Sequence, residues 1–283
     1  MLLDLHTHST ASDGAYSPAE VVQLALTHQL EWLALTDHDT VAGIPEAFAA
    51  AANSSLKIIT AIELSAEEHG AKRDMLGYLI DPNYAPLLEL LQNLQEARLQ
   101  RVKSMIERLM PLGVILDYDR VLELARGGTV GRPHIARAML ERRYVHSLQE
   151  AFDSFLGEGK PAYLPHNLLS PTRAIEIIHR SGGVAVLAHP GRVSHVESII
   201  EALVPFGLDG VEAFYPDHTP AMIKSYRALA DRHNLIVTGG SDFHRREPDG
   251  SARIGSVKFP KGVDPIVALY TRAERYKIGP TSI

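Results

Sequence analysis

Residues Leu2-Leu3-Asp4-Leu5-His6-Thr7-His8 form a short apolar run that ends in two histidines. Alternate side chains of a β-strand project from the same face, so His6 and His8 converge on one point where the run ends. Two converging imidazoles can bind one metal ion, although a pair of surface histidines would give the same pattern. Asp13 follows a turn rich in Ser and Ala, and its carboxylate can reach back to the same point.

The same pattern, an apolar run that ends in polar residues, recurs along the chain. His38 lies in Thr36-Asp37-His38-Asp39 after one run, Glu63 ends another, His189 follows a third, and Asp242-Phe243-His244 follows a fourth. Runs this uniformly apolar are typical of strands covered on both faces, as in a parallel sheet. The seven strand candidates are Leu2–Leu5, Trp32–Leu35, Lys57–Ile62, Met75–Ile80 with Asp74 at its head, Val184–Ala188, Gly210–Tyr215 and Leu235–Gly239.

Amphipathic stretches fill the intervals between these strands. Ser17-Pro18-Ala19-Glu20 predicts a capped helix to about His28, and Ser170-Pro171-Thr172-Arg173 predicts another that ends near Gly182. Alternating strands and helices give either a (β/α) barrel or a doubly wound sheet. We predict the barrel, because polar residues end many different strands, whereas an open sheet concentrates its site at one switch point. Further helices are predicted over Val196–Phe206, Pro220–His233 and Val263–Tyr276.

The chain between residues 85 and 165 contains no convincing strand. Apolar residues recur every three or four positions from Leu87 to Leu109, the pattern of one long amphipathic helix, and shorter helices are predicted after it. We therefore predict a barrel over residues 1–84 and 166–283 and a helical cap over residues 85–165. Residues 85–170 hold 11 Lys and Arg against 10 Asp and Glu, so the barrel carries the net negative charge. An acidic barrel favours cations, and a slightly basic cap favours an anion.

Composition excludes several classes of protein. The 283 residues include 14 histidines and no cysteine, which rules out a disulfide framework, a thiolate metal site and a cysteine nucleophile. A formal charge of −6 argues against a protein that coats nucleic acid or an anionic membrane. We find neither a membrane-spanning run nor the pattern of a secretion signal, so we expect a cytoplasmic protein without membrane contact. No obligate protein partner is evident.

The strand-end residues offer only nitrogen and oxygen ligands. Imidazole and carboxylate groups suit Mn²⁺, Zn²⁺ or Fe²⁺, and the candidates are too many for one tetrahedral zinc ion. Two or three ions that share a carboxylate would activate a water molecule. They would also stabilise both the attacking and the leaving oxygen in a displacement at phosphorus. The sequence has no glycine-rich phosphate loop and no convincing Ser-His-Asp set. Each position alone also fits loop polarity or helix capping, so the metal interpretation depends on all of them occurring together.

These motifs, in this order, resemble those of the polymerase and histidinol phosphatase (PHP) family, within the amidohydrolase superfamily. The resemblance covers both predicted barrel segments and implies a distorted seven-stranded (β/α) TIM-like barrel that holds up to three metal ions. In the cap, Gly131-Arg132-Pro133-His134 and Gly157–Tyr163 resemble the bacterial branch that contains 3′,5′-nucleoside bisphosphate phosphatases and related 5′-end exonucleases. The motifs that carry the resemblance are His6-Thr7-His8, Asp13, Thr36–Asp39, Glu63, Ala188-His189-Pro190 and Gly240–His244.

The resemblance also implies how the ligands divide among the ions. His6, His8, Glu63 and Asp242 would hold the first ion, and Glu63 would bridge to a second ion that His189 also binds. Asp13, His38 and His244 would hold a third. Similar chains have a histidine where this one has Asp74, before Met75-Leu76-Gly77-Tyr78. A carboxylate there favours an oxygen-loving ion, so we expect Mn²⁺, with Zn²⁺ or Fe²⁺ as alternatives.

Three residues of the cap are candidates for substrate binding. The planar guanidinium of Arg132 matches phosphate oxygens, and His134 and Lys160 could add donors or positive charge. In the alternative interpretation Arg132 forms a surface salt bridge and His134 packs against the cap. Glu212 receives no role. The remaining histidines are expected to be solvated: His28, His69, His146, His166, His179, His195, His218 and His233.

We therefore predict a metal-dependent phosphatase that removes the 3′-phosphate of a nucleoside 3′,5′-bisphosphate by attack of a metal-bridged hydroxide. One alternative is a 5′–3′ exonuclease or phosphodiesterase that acts on short 5′-phosphorylated oligonucleotides. Another is a non-catalytic metal-binding PHP module. An amidase or deaminase is disfavoured by analogy alone, because barrels of that kind use fewer ions.

Overall fold

The computed structural model of the protein describes residues 2–68, 71–125, 128–165, 169–247 and 249–276. The strands are β1 (Leu3–Thr7), β2 (Trp32–Leu35), β3 (Lys57–Leu64), β4 (Glu67–Glu68), β5 (Ala71–Lys72), β6 (Met75–Tyr78), β7 (Val184–Leu187), β8 (Gly210–Phe214) and β9 (Ile236–Gly239). The α-helices are α1 (Pro18–Thr27), α2 (Ile44–Ala51), α3 (Ala85–Leu109), α4 (Tyr118–Leu124), α5 (Arg132–Glu141), α6 (Leu148–Ala151), α7 (Pro171–Arg180), α8 (Val196–Leu203), α9 (Pro220–Arg232) and α10 (Pro265–Ala273).

Seven strands form one sheet in the order β1-β2-β3-β6-β7-β8-β9, and β4 and β5 form a separate two-stranded ladder. Beyond the β1 edge, Thr7 bridges to Phe243, and the His8 N–H donates to the Phe243 carbonyl at 2.9 Å. The chain that follows β9 therefore returns to β1, and the sheet is curled into a half-barrel. The predicted α/β class and seven-stranded sheet are confirmed, while the complete barrel with a helical cap stays a prediction.

Strand β6 runs antiparallel to both of its neighbours, β3 and β7. The expectation of an all-parallel sheet is therefore wrong at this strand. The connection from β3 to β6 contains only the β4–β5 ladder and no crossover helix, and parallel neighbours need a crossover of about a dozen residues or more. As a consequence, the first residues of β6 lie at the same rim as the carboxyl end of β3. Asp74 thus lies near Glu63, although it precedes its strand.

Buried apolar side chains hold the helices against the sheet. Leu3 and Leu5 of β1 lie in one buried cluster with Ile266 and Leu269 of α10. Helix α1 begins as predicted with a capping box, in which the Ser17 side chain accepts from the Glu20 N–H at 3.2 Å while the Ser17 N–H donates to the Glu20 carboxylate at 2.7 Å. These two bonds satisfy backbone donors that a helix start otherwise leaves unpaired.

The chain divides into two compact units. The first is made of the described parts of Met1–Glu89 and Leu169–Ile283, and the second of Leu90–Leu168, so the boundary falls inside α3. Helices α4, α5 and α6 lie in the second unit with most of α3. Its core is aliphatic and includes Met105 and Met139, both fully buried. None of the described helices is long and apolar enough to cross a membrane.

The prediction that eight histidines are solvated is wrong for two of them. His218 is 7% exposed, and its Nδ1–H donates to the Ala213 carbonyl at 3.0 Å. His179 lies 2.8 Å from the buried Asp209 carboxylate and stacks on Tyr276. Each ring has a polar partner, which removes the cost of burying it. His69 and His166 lie outside the described residues.

Candidate metal centre

The first cluster of candidate ligands lies where β1 meets the segment that follows β9. His6 and His8 are fully buried, and their Nε2 atoms lie 3.1 and 3.2 Å from the same Glu63 oxygen, Oε2. Asp242 approaches the same two nitrogens through Oδ1, at 3.4 Å from His6 and 3.2 Å from His8. Two nitrogens and two oxygens thus converge on one point, as predicted from the alternation of His6 and His8 along the strand.

Glu63 joins this first cluster to a second one. Its other oxygen, Oε1, lies 2.9 Å from His189 Nε2, and Asp74 Oδ2 lies 4.0 Å from that same nitrogen. Glu63, Asp74 and His189 form one group whose ligand atoms lie within 4.8 Å of one another. A carboxylate whose two oxygens face two clusters has the arrangement of a bridging ligand.

A third cluster lies toward the solvent. His244 Nε2 is 3.2 Å from Asp13 Oδ1, and His38 lies within the same group. His8 also belongs to this group, with Nδ1 at 3.9 Å from Asp13 Oδ1 and its ring stacked on His244 at 4.1 Å. All nine predicted metal ligands are therefore brought together, and His8 borders two clusters where the resemblance implied only one.

Glycines permit two of the close approaches that form the clusters. A Cβ at Gly240 would lie 2.3 Å from the backbone nitrogen of His6, and a Cβ at Gly14 would lie 2.5 Å from the carbonyl oxygen of His8. Real Cβ atoms do not approach backbone atoms so closely. Glycine is thus needed where the chain after β9 passes β1 and where the turn that carries Asp13 folds back.

Two candidate ligands have left-handed backbone, with φ of 53° at Asp242 and 26° at His189. Such conformations cost about 1–3 kcal/mol each and persist only where the surroundings impose them. The Asp4 carboxylate accepts from the N–H of Ser241 at 2.9 Å, next to Asp242. The Glu212 carboxylate accepts from the N–H of His189 at 2.7 Å. Buried carboxylates thus hold both strained residues in place.

Glu212, which received no role from the sequence, orients two ligands at once. Its Oε1 lies 2.9 Å from His6 Nδ1, and its Oε2 accepts from the His189 backbone. A carboxylate can only accept, so His6 donates through Nδ1–H and its Nε2 lone pair faces Glu63 and Asp242. In the sequence Glu212 is a lone carboxylate within the apolar run of β8, which indicates a buried polar contact but does not show which residues Glu212 contacts.

His244 is oriented in the same way by a backbone carbonyl. Its Nδ1 lies 2.8 Å from the Asp242 carbonyl oxygen, so Nδ1–H donates and the Nε2 lone pair faces Asp13. Both ring nitrogens of His8 and the Nδ1 of His189 are buried without an aligned hydrogen bond among the described residues. Lone pairs that face carboxylate oxygens repel them unless a cation lies between. The arrangement therefore fits divalent ions.

The charges of the centre shift the pKa values of its members strongly. Burial lowers the pKa of His8, but hydrogen bonding and attraction from Asp242 and Glu63 outweigh it and raise the pKa to about 10. Burial raises the pKa of Glu63, but the positive charges of His38 and His6 outweigh it and bring the pKa well below its ordinary value. In the absence of an ion, protons on the imidazoles thus take the place of the cations.

Asp74 differs from the other carboxylates of the centre. Burial and the negative charge of Glu63 raise its pKa, whereas the pKa values of Asp13 and Asp242 are lowered because nearby histidines outweigh burial. The positive charges of His38, Lys72 and His189 lower the pKa of Asp74, but they do not outweigh burial and Glu63. A cation in this cluster would relieve the repulsion between Asp74 and Glu63.

Arg192 and Tyr215 lie beside the centre and were not predicted. The Tyr215 hydroxyl donates to Asp242 Oδ2 at 2.8 Å, and Arg192 Nη1 lies 3.1 Å from the same oxygen. The guanidinium of Arg192 also lies over the Tyr215 ring at 5.2 Å. Asp242 therefore presents Oδ1 to the histidines while Oδ2 is held by these two residues. Sequence alone gives no sign of this pairing, because the partners come from separate loops.

The predicted substrate-binding residues Arg132, His134 and Lys160 lie in the second unit. Arg132 begins α5, donates to the Leu156 carbonyl at 3.3 Å and lies over the Phe152 and Tyr163 rings. His134 accepts from the Gly131 N–H through Nδ1 at 3.1 Å and so caps the same helix. Lys160 is exposed in the turn that follows Gly157. Their role in substrate binding stays a prediction.

Comparison with known proteins places this site in a family. The PHP-domain family model matches residues 4–180. The 3′,5′-nucleoside bisphosphate phosphatase of Chromobacterium violaceum is 34% identical over 247 residues, 86% of this chain and 87% of that protein. The 5′-3′ exoribonuclease Rnm of Escherichia coli strain K12 is 33% identical over 281 residues, 97% of this chain and 95% of that protein.

A solved structure from Bifidobacterium adolescentis, described as a metal-dependent phosphoesterase, superposes with a TM-score of 0.82 at 30% identity. The similarity covers 95% of this chain and 96% of that one, so it includes both compact units. The chain therefore belongs to the PHP-domain family of phosphoesterases.

Proposed function

We propose that the protein is a metal-dependent phosphatase that removes the 3′-phosphate of nucleoside 3′,5′-bisphosphates. The observation that carries this proposal is the set of three adjoining clusters of nitrogen and oxygen ligands joined by Glu63. The bisphosphate phosphatase of C. violaceum, similar over most of its length, supports the choice of substrate. Because the ligand set is rich in oxygen and includes Asp74, we propose Mn²⁺ as the ion.

Two or three such ions would supply an activated water and neutralise charge on the phosphoryl oxygens. The protein's own contribution is to hold the ligands rigid and largely dry. Glu63 and the buried histidines form the floor of the site, and Glu212 keeps the Nε2 atom of His6 directed at it. Tyr215 and Arg192 hold the outer oxygen of Asp242. Such preorganisation avoids the cost of moving these groups during the reaction.

For the second unit we propose a role in substrate binding, as a cap. The N–H groups of the Arg132 guanidinium match phosphate oxygens in pairs, and Lys160 offers a further exposed positive charge. His134 would act through Nε2, because its Nδ1 accepts from the helix start. The substrate in this proposal is a small nucleotide, and no membrane or partner protein takes part.

A second candidate function is removal of nucleotides from short 5′-phosphorylated oligonucleotides. The E. coli relative named as a 5′-3′ exoribonuclease is similar over 97% of this chain, which favours this reading as much as the first relative favours the phosphatase. Both reactions displace an oxygen at phosphorus and use the same metal centre. They differ in the reacting phosphate, which is a monoester in the bisphosphate and is esterified to the next nucleotide in the oligonucleotide.

Steady-state kinetics with Mn²⁺ separates the two candidates. We expect a larger kcat/KM for adenosine 3′,5′-bisphosphate than for a 5′-phosphorylated pentanucleotide. A larger value for the pentanucleotide would favour the exonuclease and overturn the proposed substrate. The variant His8→Ala should abolish both activities, since it removes a ligand that borders two clusters. Full activity in this variant would exclude a reaction at this metal centre, and a wild-type protein that binds metal but hydrolyses neither substrate would favour the non-catalytic module.

A further inference from the structure

A cavity of about 490 Å³ lies in the first unit, outside the metal centre. One wall is the chain of β5 and its continuation toward β6, and the other is the segment that leads into α8. The size lies within the range of small-molecule sites, which are typically about 300–1,000 Å³. The residues that line it are Ala71, Lys72, Arg73, Arg192, Val193, Ser194, His195, Ser198, Ile199 and Ala202.

The lining of this cavity is basic. Lys72, Arg73 and Arg192 line the cavity, and the described lining residues include no carboxylate. Arg192 is paired with Asp242, which lies outside the lining. Arg73 pairs with Glu68 through Nη1 at 2.9 Å, but its Nε is buried without a hydrogen bond among the described residues. Buried donors of a guanidinium are costly unless they find an acceptor. An anion bound in the cavity would offer such an acceptor.

Residues around the start of α8 line the same cavity. The N-cap residue of α8, His195, makes no side-chain cap hydrogen bond and has a φ of 57°. Ser194 precedes it, and Ser198 in the first turn also lines the cavity. Free N–H groups at the start of a helix, next to cations and hydroxyls, form a typical binding site for phosphate.

Two residues connect the cavity to the metal centre. Arg192 lines the cavity and also contacts Asp242 Oδ2 at 3.1 Å, and Arg73 directly precedes Asp74. The turn that carries Arg192 is held by His218, whose Nε2 accepts from the Gly191 N–H at 3.1 Å. A Cβ on Gly191 would lie 2.7 Å from that imidazole, so the turn and the ring are closely fitted. The turn that carries Arg192 is therefore held between the cavity and Asp242, a residue of the metal centre.

We propose that this cavity binds a second phosphate of the substrate, one that is not hydrolysed, while the reacting phosphate lies at the metal centre. The proposal rests on the proposed function, because it assumes a phosphate at the metals. The second phosphate has two possible sources with the same chemistry. It belongs either to the same ribose, as in a nucleoside bisphosphate, or to the next nucleotide of an oligonucleotide.

Two charge-changing variants on opposite walls test the cavity: Lys72→Glu on β5 and Ser198→Asp on α8. Lys224→Glu on α9 is the matched control for Lys72→Glu, since it makes the same change of net charge at an exposed position outside the cavity. The readout is kcat/KM for adenosine 3′,5′-bisphosphate divided by kcat/KM for adenosine 3′-monophosphate. We expect this ratio to fall at least about tenfold in both cavity variants, chiefly through KM, and to keep its wild-type value in the control.

The same variants are then compared on a 5′-phosphorylated pentanucleotide and a 5′-phosphorylated dinucleotide. A loss confined to the bisphosphate ratio assigns the second phosphate to the same ribose, and a loss confined to the longer oligonucleotide assigns it to the next nucleotide. Ratios that stay at the wild-type value with both substrate pairs would overturn the proposal. Failure of the proposed function differs from this result, because the wild-type protein itself would then fail to hydrolyse adenosine 3′,5′-bisphosphate or would prefer the pentanucleotide.

Discussion

The two compact units differ in what they bury. Among the described residues, every buried polar or charged side chain lies in the first unit, whereas the core of the second unit is aliphatic. The first unit thus carries a dense set of ionisable groups in its interior. They are Asp4, His6, His8, Asp37, Glu63, Asp74, His189, Asp209, Glu212, His218 and Arg272.

This difference indicates what each unit is built to do. Burying an ionisable group is costly unless it is paired, so the first unit gives up stability in order to hold its ligands in a dry interior. The second unit has no such cost, and its burial of Met105, Val121 and Met139 serves stability. Substitutions of buried ligands in the first unit should therefore affect chemistry, and substitutions of buried apolar residues in the second unit should affect stability.

The largest effect is expected for Glu63→Gln. Glutamine keeps the size of the side chain but removes the charge that faces two clusters, so the ions lose their shared ligand. We expect kcat to fall at least about a thousandfold, a loss of about 4 kcal/mol in stabilisation of the transition state. Glu201→Gln, at an exposed position on α8, should retain wild-type activity. Comparable kcat values in the two variants would contradict a role for Glu63 as the shared metal ligand.

Met139→Ala in the second unit should show the opposite behaviour. Truncating a fully buried methionine leaves a cavity and costs about 2–5 kcal/mol of stability. Urea denaturation would measure this loss, and the metal content of the folded protein should stay unchanged. Leu140→Ala, an exposed neighbour on the same helix, should cost far less. Loss of metal from fully folded Met139→Ala would contradict the conclusion that the metal centre depends on the first unit alone.

A smaller effect is expected for Glu212→Gln, which keeps a hydrogen-bond acceptor but removes the charge beside His6. Substitutions of groups that orient a metal ligand typically reduce metal affinity about 10–100-fold. We expect an affinity loss of that size in a Mn²⁺ titration, with activity restored by excess Mn²⁺. Loss of activity that no concentration of Mn²⁺ restores would show that Glu212 acts in another way.

The smallest effect is the pH dependence of stability in the metal-free protein. Burial lowers the pKa of His8, but Asp242 and Glu63 raise it by more, to about 10, above the value of about 6.5 for an unfolded histidine. The protonated ring therefore stabilises the fold fully below about pH 6.5, and this contribution is lost as pH rises through about 10. The urea midpoint of the chelated protein should fall over this range.

His8→Gln is the control for this measurement, since it removes the titrating ring and should reduce the pH dependence. Metal binding has the opposite dependence, because the ions displace protons from the imidazoles and bind more tightly as pH rises. A midpoint that rises between about pH 7 and about pH 10 in the chelated wild-type protein would contradict the assignment of protons to the centre.

Much of the centre could be predicted from the sequence because strand geometry is simple. His6 and His8 share a face by alternation, and residues such as Glu63 and Asp242 lie where strands or the loops after them reach one rim. Each such residue interrupts or ends an apolar run, which makes it visible. The helix starts at Ser17 and Ser170 were equally visible, because capping depends on adjacent residues alone.

Other features depend on contacts between distant residues. The reversal of β6 follows from the short β4–β5 connection, although its apolar run looks like that of a parallel strand. Glu212 contacts His6 only because the fold places β8 beside β1's histidines, and His218 accepts from the Gly191 N–H, which is 27 positions away in the chain. Arg192 likewise meets Asp242 across two loops. A single sequence does not report such long-range pairings.

The most direct test of the account is the metal stoichiometry of the active protein. Purified protein should be treated with a chelator, titrated with Mn²⁺ and analysed for bound metal alongside activity on adenosine 3′,5′-bisphosphate. We predict an inactive metal-free protein and recovery of activity with two or three ions bound per chain. Full activity after chelation, or full activity with a single bound ion, would contradict a centre in which Glu63 joins adjoining metal sites.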